Sequence, residues 1–183
     1  NWTTPILGNP EQYQPIEVLA GLYAYTLYIY LNFSGYTELV TAFALLLGIR
    51  IADNFNMPYA ATNLRDFWQR WHISLSTWIR DYLYIPLGGN RHGYLRTQVN
   101  LTIAMLLSGL WHGASGNYLL WGAMHAVGII VLNSCDRLMG KNAVATLSPA
   151  LARYGTIHYI VLTWAVFYKN DADNTRAIFR ALG

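Results

Sequence analysis

Charge is what this sequence has least of. Of its 183 residues, 12 are Lys or Arg and 9 are Asp or Glu, 11% in all against 54% hydrophobic. A soluble domain carries about 25% charged residues. The shortage excludes a disordered chain, a coiled coil and an ordinary solvated globule. Basic runs are missing too: the net charge is only +3, and no cluster of Lys and Arg occurs, which argues against nucleic acid as a partner. The single cysteine, Cys135, excludes a disulfide framework and any Cys-based zinc site. No phosphate loop, dinucleotide fingerprint or G-x-S-x-G elbow is present. Carboxylate pairs are absent from the apolar stretches, so proton-relay transport has little support.

What is there is apolar sequence in long pieces. Val18 to Thr37 holds 20 residues without Asp, Glu, Lys or Arg, about the length one helix needs to cross a hydrocarbon core of ~30 Å. Thr97 to Cys135 holds 39, enough for two crossings joined by a tight turn. Tyr154 to Tyr168 adds 15, and Leu39 to Ile49 adds 11, with a helix able to run on past Glu38. Core helices of a soluble protein also read as apolar runs, but 39 uncharged residues in so short a chain have no obvious soluble home. The expected fold is therefore all-α: a polytopic membrane protein with transmembrane helices, an amphipathic interfacial or re-entrant helix, and short loops. Residue 1 is Asn and no signal-peptide pattern precedes the first apolar run, so residues 1–183 read as a single partial domain whose N-terminal spans are missing. Glycosylation sequons at Asn1, Asn32 and Asn100 read as chance matches.

The charge that exists is concentrated. Between Arg50 and Arg96 lie six Arg and three Asp, a net of +3 that equals that of the whole chain. An Arg-rich connection beside membrane spans stays cytoplasmic. Arg137, Lys141 and Arg153 outweigh Asp136 beyond the 39-residue stretch, which puts both its ends on one side, as a hairpin requires. Within the charged region, Leu64 to Tyr84 reads as one amphipathic helix. Asn63 caps it, with Asp66 reaching back in a variant of the capping box. Leu64, Phe67, Trp68, Trp71, Leu75, Trp78, Ile79 and Tyr82 recur at steps of three and four, and Asp66 and Arg70 pair on the other side. Pro86 and Gly88-Gly89-Asn90 stop it.

Two histidines stand out. His72 falls at the edge of the apolar face, beside Trp68, Ser76 and Ile79. His112 sits in Ser108-Gly109-Leu110-Trp111-His112-Gly113-Ala114, at the expected hairpin turn. A helix from Thr97 to Trp111 rises about 22 Å, which places His112 deep in the bilayer or near its far face. An ionisable side chain there is costly and marks a functional candidate; a structural hydrogen-bonding role is the other reading. The neighbouring glycines would let a substrate or another backbone come close. His125 follows in Trp121-Gly122-Ala123-Met124-His125, where packing or hydrogen bonding serves equally well. His92 and His158 have no evident partner. Metal binding by His72, His112 and His125 has weak support, since no i,i+4 pair or H-E-x-x-H spacing exists.

The run Asp66-Phe67-Trp68-Gln69-Arg70-Trp71-His72-Ile73-Ser74-Leu75-Ser76, followed by Trp78-Ile79-Arg80-Asp81-Tyr82, resembles the signature of membrane-bound O-acyltransferases. Tyr84-Ile85-Pro86-Leu87-Gly88-Gly89-Asn90-Arg91 is similar to the continuation in the alginate O-acetylation branch. Gly109 to Ala114 and Trp121 to His125 resemble the block that holds that family's catalytic histidine. The likeness covers about Asn54 to Gly128. It implies an all-helical enzyme that moves an acyl group onto a hydroxyl, with His112 as the catalytic histidine and His72 as the second functional one. Trp71, Ser76, Arg80, Asp81, Trp111 and Gly113, in the same motifs, are expected to bind substrate. The resemblance further implies a bacterial inner-membrane, multi-pass protein with no tightly bound cofactor and an acyl thioester (acetyl-CoA or an acyl carrier) as substrate. Expected partners are membrane lipids, a carrier protein, a periplasmic acetyltransferase or relay protein, and a polysaccharide acceptor such as alginate. D-alanyl transfer to teichoic acid, peptidoglycan O-acetylation, and a non-catalytic scaffold or transporter fragment are the alternatives. Full members of the family are longer, and Ala126 stands where glycine is common.

Overall fold

The computed structural model describes residues 3–140 and 148–183. Asn1, the acceptor position of one sequon, and Lys141 lie outside the described residues. Every regular element among the described residues is helical: α1 (Thr3–Gly8), α2 (Pro15–Leu46), α3 (Leu64–Arg70), α4 (Ile73–Ile79), α5 (Gly93–His112), α6 (Gly116–Met139), α7 (Pro149–Phe167) and α8 (Ala172–Leu182).

The uncharged stretches became the long helices. Val18 to Thr37 and most of Leu39 to Ile49 merge into α2, whose 32 residues run about 48 Å straight past Glu38. Pro15 opens it, and the Gln14 backbone N–H donates to Glu17 at 2.8 Å. The 39-residue stretch forms the hairpin of α5 and α6. Of these helices, α6 is the one among the described residues that is both long and apolar enough to cross a membrane by length and composition. In α2, α5 and α7, Tyr, Thr, Asn and Ser dilute the apolar character.

The hairpin closes on glycine. A Cβ on Gly109 would overlap the Tyr118 carbonyl oxygen, and one on Gly122 the Met105 carbonyl oxygen. The two backbones therefore approach as only small residues allow. What the glycines beside His112 admit is another helix. At the turn Gly113 adopts φ 152°, which a side chain would resist.

Leu64 to Tyr84 is not one helix. It breaks after Arg70: Trp71 is extended and His72 takes φ 44°, ψ 55°, so that α3 and α4 meet at an angle. A π-helical turn, Arg80–Tyr84, follows. No glycine or proline causes the break. Residues 54–56 cross it instead: the Asn56 N–H donates to the Arg70 carbonyl at 3.0 Å, and the Ile73 N–H to the Asn54 carbonyl at 3.0 Å. Those bonds supply the partners that the helix ends would otherwise lack. The apolar face divides with the backbone. Leu64, Phe67, Trp71, Leu75 and Ile79 are buried, while Trp78 and Tyr82 stack on each other at the surface. Asn63 does cap α3, accepting from the Asp66 N–H at 2.9 Å, but Asp66 reaches the Thr62 N–H rather than that of Asn63.

Besides a small cluster of Leu75, Ile79 and Ala104, two cores hold the helices. One is aromatic: Phe67 and Trp71 stack, and Trp71 meets Trp164 of α7, which in turn stacks on Trp121 of α6. Ala126, in the place of glycine, is buried there at 1% exposure. The other joins α1, α2, α7 and α8 through Leu7, Leu22, Val161 and Ile178. Asn100 is fully buried and donates to the Gly89 carbonyl at 3.0 Å, fastening the Gly88-Gly89 turn to α5; its sequon cannot carry a glycan.

Candidate active site

His112 is the last residue of α5, presented at the hairpin turn and half-buried. Its ring is walled by aromatic edges. Trp121 lies 5.3 Å away at 87°, Phe167 5.0 Å at 86°, and Trp111 4.9 Å at 81°. Tyr118 completes the enclosure at 5.9 Å. Among the described residues its imidazole makes no hydrogen bond, so packing alone sets the ring and both nitrogens remain open to a substrate.

His72 is held in the opposite manner. The left-handed backbone at the α3–α4 break turns its ring between Phe33 of α2, edge-on at 4.8 Å, and Trp111, at 5.9 Å. Trp111 thus lies between the two histidines and touches both. His72 Nδ1 hydrogen-bonds Asn54 Oδ1 at 3.1 Å. Burial pushes its pKa below the ordinary imidazole value, which favours the neutral ring.

The third histidine is structural in its setting. His125 is fully buried, 4.7 Å from Trp121 and 5.0 Å from Trp68, whose indole N–H donates to His125 Nδ1 at 3.3 Å. The other two are peripheral. His158 accepts from, or donates to, the Tyr23 hydroxyl at 2.7 Å, a partner 135 residues away that no local pattern indicates. The His92 ring lies over Gly88. Among the described residues no three His, Cys, Asp or Glu side chains converge on a metal site.

A cleft of about 1070 Å³ opens between α3, α4 and the π turn on one side and α5 and α6 on the other. Ser76, Arg80, Trp68 and Ser108 line it; Ser108 is one turn before His112 on the same face of α5. At its edge Arg65 bridges α3 to α6, donating to Asn133 at 2.8 Å and to Asp136 at 2.5 Å, and Asn133 continues to Gln98 of α5 at 3.1 Å. That chain of polar contacts fixes the spacing of the three helices around the cleft.

The residues singled out in the motifs are therefore distributed. His72, Trp111, His112 and Gly113 come together. Ser76 and Arg80 line the adjoining cleft, the Ser76 hydroxyl donating to the Trp71 carbonyl at 3.1 Å. Trp71 is core, at 4% exposure. Asp81 is exposed and paired with Arg80 at 2.7 Å, whose hydrogen bond holds its carboxyl below the usual range. Sequence reasoning did not single out Asn54, Phe167 or Tyr118. Asn54 sits at the border of the recognisable motif, which was a faint signal; Phe167 lies 55 residues from His112 with no signal at all.

The chain is similar to known proteins over most of its length. The chain is 42% identical over 160 residues to a probable alginate O-acetylase of Pseudomonas aeruginosa, covering 87% of this chain and 29% of that protein. It is 35% identical over 159 residues to a peptidoglycan O-acetyltransferase of Helicobacter pylori, covering 87% and 30%. It is 32% identical over 167 residues to a teichoic acid D-alanyltransferase of Bacillus subtilis, covering 87% and 39%. The chain thus spans about a third of the length of these relatives. Matched by the family's model from residue 14 to residue 168, through both histidine-bearing motifs, it belongs to the membrane-bound O-acyltransferase family.

Proposed function

We propose that this chain carries the acyl-transfer centre of a multi-pass inner-membrane O-acyltransferase. The enzyme passes an acyl group, acetyl by preference, from a thioester donor on the cytoplasmic side to hydroxyls of an exported polysaccharide. The higher identity to alginate O-acetylases than to the D-alanyltransferase supports acetyl as the group moved and a polymer such as alginate as the acceptor. The donor, acetyl-CoA or an acyl carrier, is a substrate; membrane lipids and a periplasmic relay protein are the further partners this reading implies.

The observation that carries the proposal is His112: an imidazole at a helix end, with both nitrogens unengaged among the described residues and its ring walled by Trp111, Trp121 and Phe167. An alcohol is a weak nucleophile at neutral pH and needs a base near its proton. Neutral His112 takes that proton as the hydroxyl oxygen attacks the thioester carbonyl. The new C–O bond forms, the C–S bond breaks, and the imidazolium returns the proton to the departing thiolate. His72 orients a reactant or supports the oxyanion. Transfer is direct, without an acyl-histidine intermediate.

Acetyl transfer by the full-length membrane protein tests this. His112→Ala is expected to lower turnover by about 10²- to 10⁴-fold with expression and folding intact. Near-normal turnover would refute the proposal. A scaffold would tolerate His112→Gln without consequence, whereas the enzyme would lose transfer and keep its fold.

A further inference from the structure

We propose that Asn54 is a positioning residue for His72, holding the ring's proton on Nδ1 and leaving Nε2 as a hydrogen-bond acceptor. The assignment follows from what else Asn54 touches. Its Oδ1 receives the Ser74 backbone N–H at 3.1 Å and the Ser74 hydroxyl at 2.9 Å. A backbone N–H can only donate, so the amide atom facing it must be the oxygen; reversed, the amide would set NH₂ against N–H. That same oxygen lies 3.1 Å from His72 Nδ1. An oxygen cannot donate, and two lone pairs at that distance repel. The contact is attractive only if Nδ1 carries the proton.

Among the described residues Ser74 offers the one competing arrangement. Its hydroxyl lies 3.5 Å from Nδ1 and would have to turn its proton there. Nδ1 would then keep its lone pair against Oδ1, so the shorter contact decides. The ring has little freedom to escape. Phe33 and Trp111 stand on it, and turning it over would place a C–H where Nδ1 now bonds. The backbone is equally committed: a non-glycine residue resists the left-handed region, yet the two bonds from residues 54–56 across the break hold His72 there. Asn54 thus fixes the backbone of α4 through its carbonyl and the chemistry of His72 through its side chain.

The consequence rests on the acyl-transfer reading above and narrows it. With its only proton given to Asn54, a neutral His72 has none for an oxyanion. Its Nε2, unengaged among the described residues, can accept from a water that donates its other proton to the attacking oxygen, which leaves the hydroxyl's single proton for His112. His72 then holds the nucleophile, and His112 deprotonates it.

Solid-state NMR of the full-length protein in lipid bilayers, with ¹⁵N-labelled histidine and His72 assigned by the signal lost in His72→Gln, reads the tautomer directly. The expected spectrum has Nδ1 protonated and Nε2 bare. Asn54→Leu, which removes the acceptor at similar volume, should move the proton to Nε2 and lower kcat by about 10- to 100-fold. Ser74→Ala should leave the proton on Nδ1. A bare Nδ1 in the unaltered protein overturns the proposal whether or not any variant folds. So does an unchanged tautomer in Asn54→Leu, or one that reverses in Ser74→Ala alone. Because the spectrum needs no turnover, a protonated Nδ1 in a protein without acyl transfer would sink the enzyme reading and leave the role of Asn54 standing.

Discussion

His72 and His112 stand on either side of Trp111, yet the molecule holds them by different means. His72 sits at a break between two short helices, tied by its Nδ1 to Asn54, which also bonds Ser74. His112 ends a 20-residue helix and has rings around it on α5, α6 and α7. A hydrogen bond selects one tautomer and resists its exchange. Aromatic edges select an orientation and leave both nitrogens free to bind or release a proton. A group that must take up a proton and hand it on is better held in the second manner; a group that only orients is better held in the first. Under the proposed mechanism the mobile proton belongs to the hairpin and the fixed one to the break.

The strongest test of that contrast removes the wall and leaves the histidine. Trp121→Ala should lower stability by about 3–5 kcal/mol, as truncation of a buried Trp does, because Trp121 touches His112, His125, Trp164 and Phe167 at once. Trp111→Ala, at a position 60% exposed, should unfold at nearly the same temperature and still lose acyl transfer. Thermal unfolding in detergent, paired with turnover, separates the two; equal stability losses would show that Trp111 is part of the core.

A smaller effect is expected from the hairpin itself. Gly122→Ala sets a methyl against the Met105 carbonyl and should cost about 1–3 kcal/mol, with turnover falling as His112 is displaced from Phe167. The tautomer at His72 should stay unchanged in the same variant, because no part of the Asn54 clasp lies on α6. A shift of both histidine signals would mean that the two supports are one unit.

The smallest effect concerns pH. The His72 pKa is lowered in the folded protein by burial, so the unfolded chain binds a proton first. Stability from this group is therefore intact above the ordinary imidazole value of about 6.5 and declines as pH falls below it. His72→Gln should flatten that decline. A variant with the same acid sensitivity as the unaltered protein would place the titration elsewhere.

Long helices were legible because their signal is local and redundant. Removing charge from 20 or 39 consecutive residues leaves few alternatives to buried or membrane helices, and the merger of two stretches into α2 required only that Glu38 be tolerated at its surface. The break at Trp71-His72 was not legible. The apolar period runs through it unbroken, and its cause is the irregular segment 54–56, whose hydrogen bonds outweigh helix continuation. Likewise the motif residues Trp71 and Asp81 look equivalent to Trp111 and Arg80 in sequence, and only packing sorts a core indole and a surface carboxylate from side chains at the histidines or the cleft.

By itself, then, the sequence determined that the chain is helical and membrane-bound, that its charge gathers between Arg50 and Arg96, and that His72 and His112 belong to acyltransferase motifs. These follow from composition, period and short motifs, which neighbouring residues carry. The tertiary structure alone decided that the two histidines share Trp111, that Asn54 reaches His72 across 18 residues, and that Phe167 comes back from α7 to wall His112. Such contacts depend on how helices cross, and helix crossing is set by side-chain volumes meeting from distant parts of the chain.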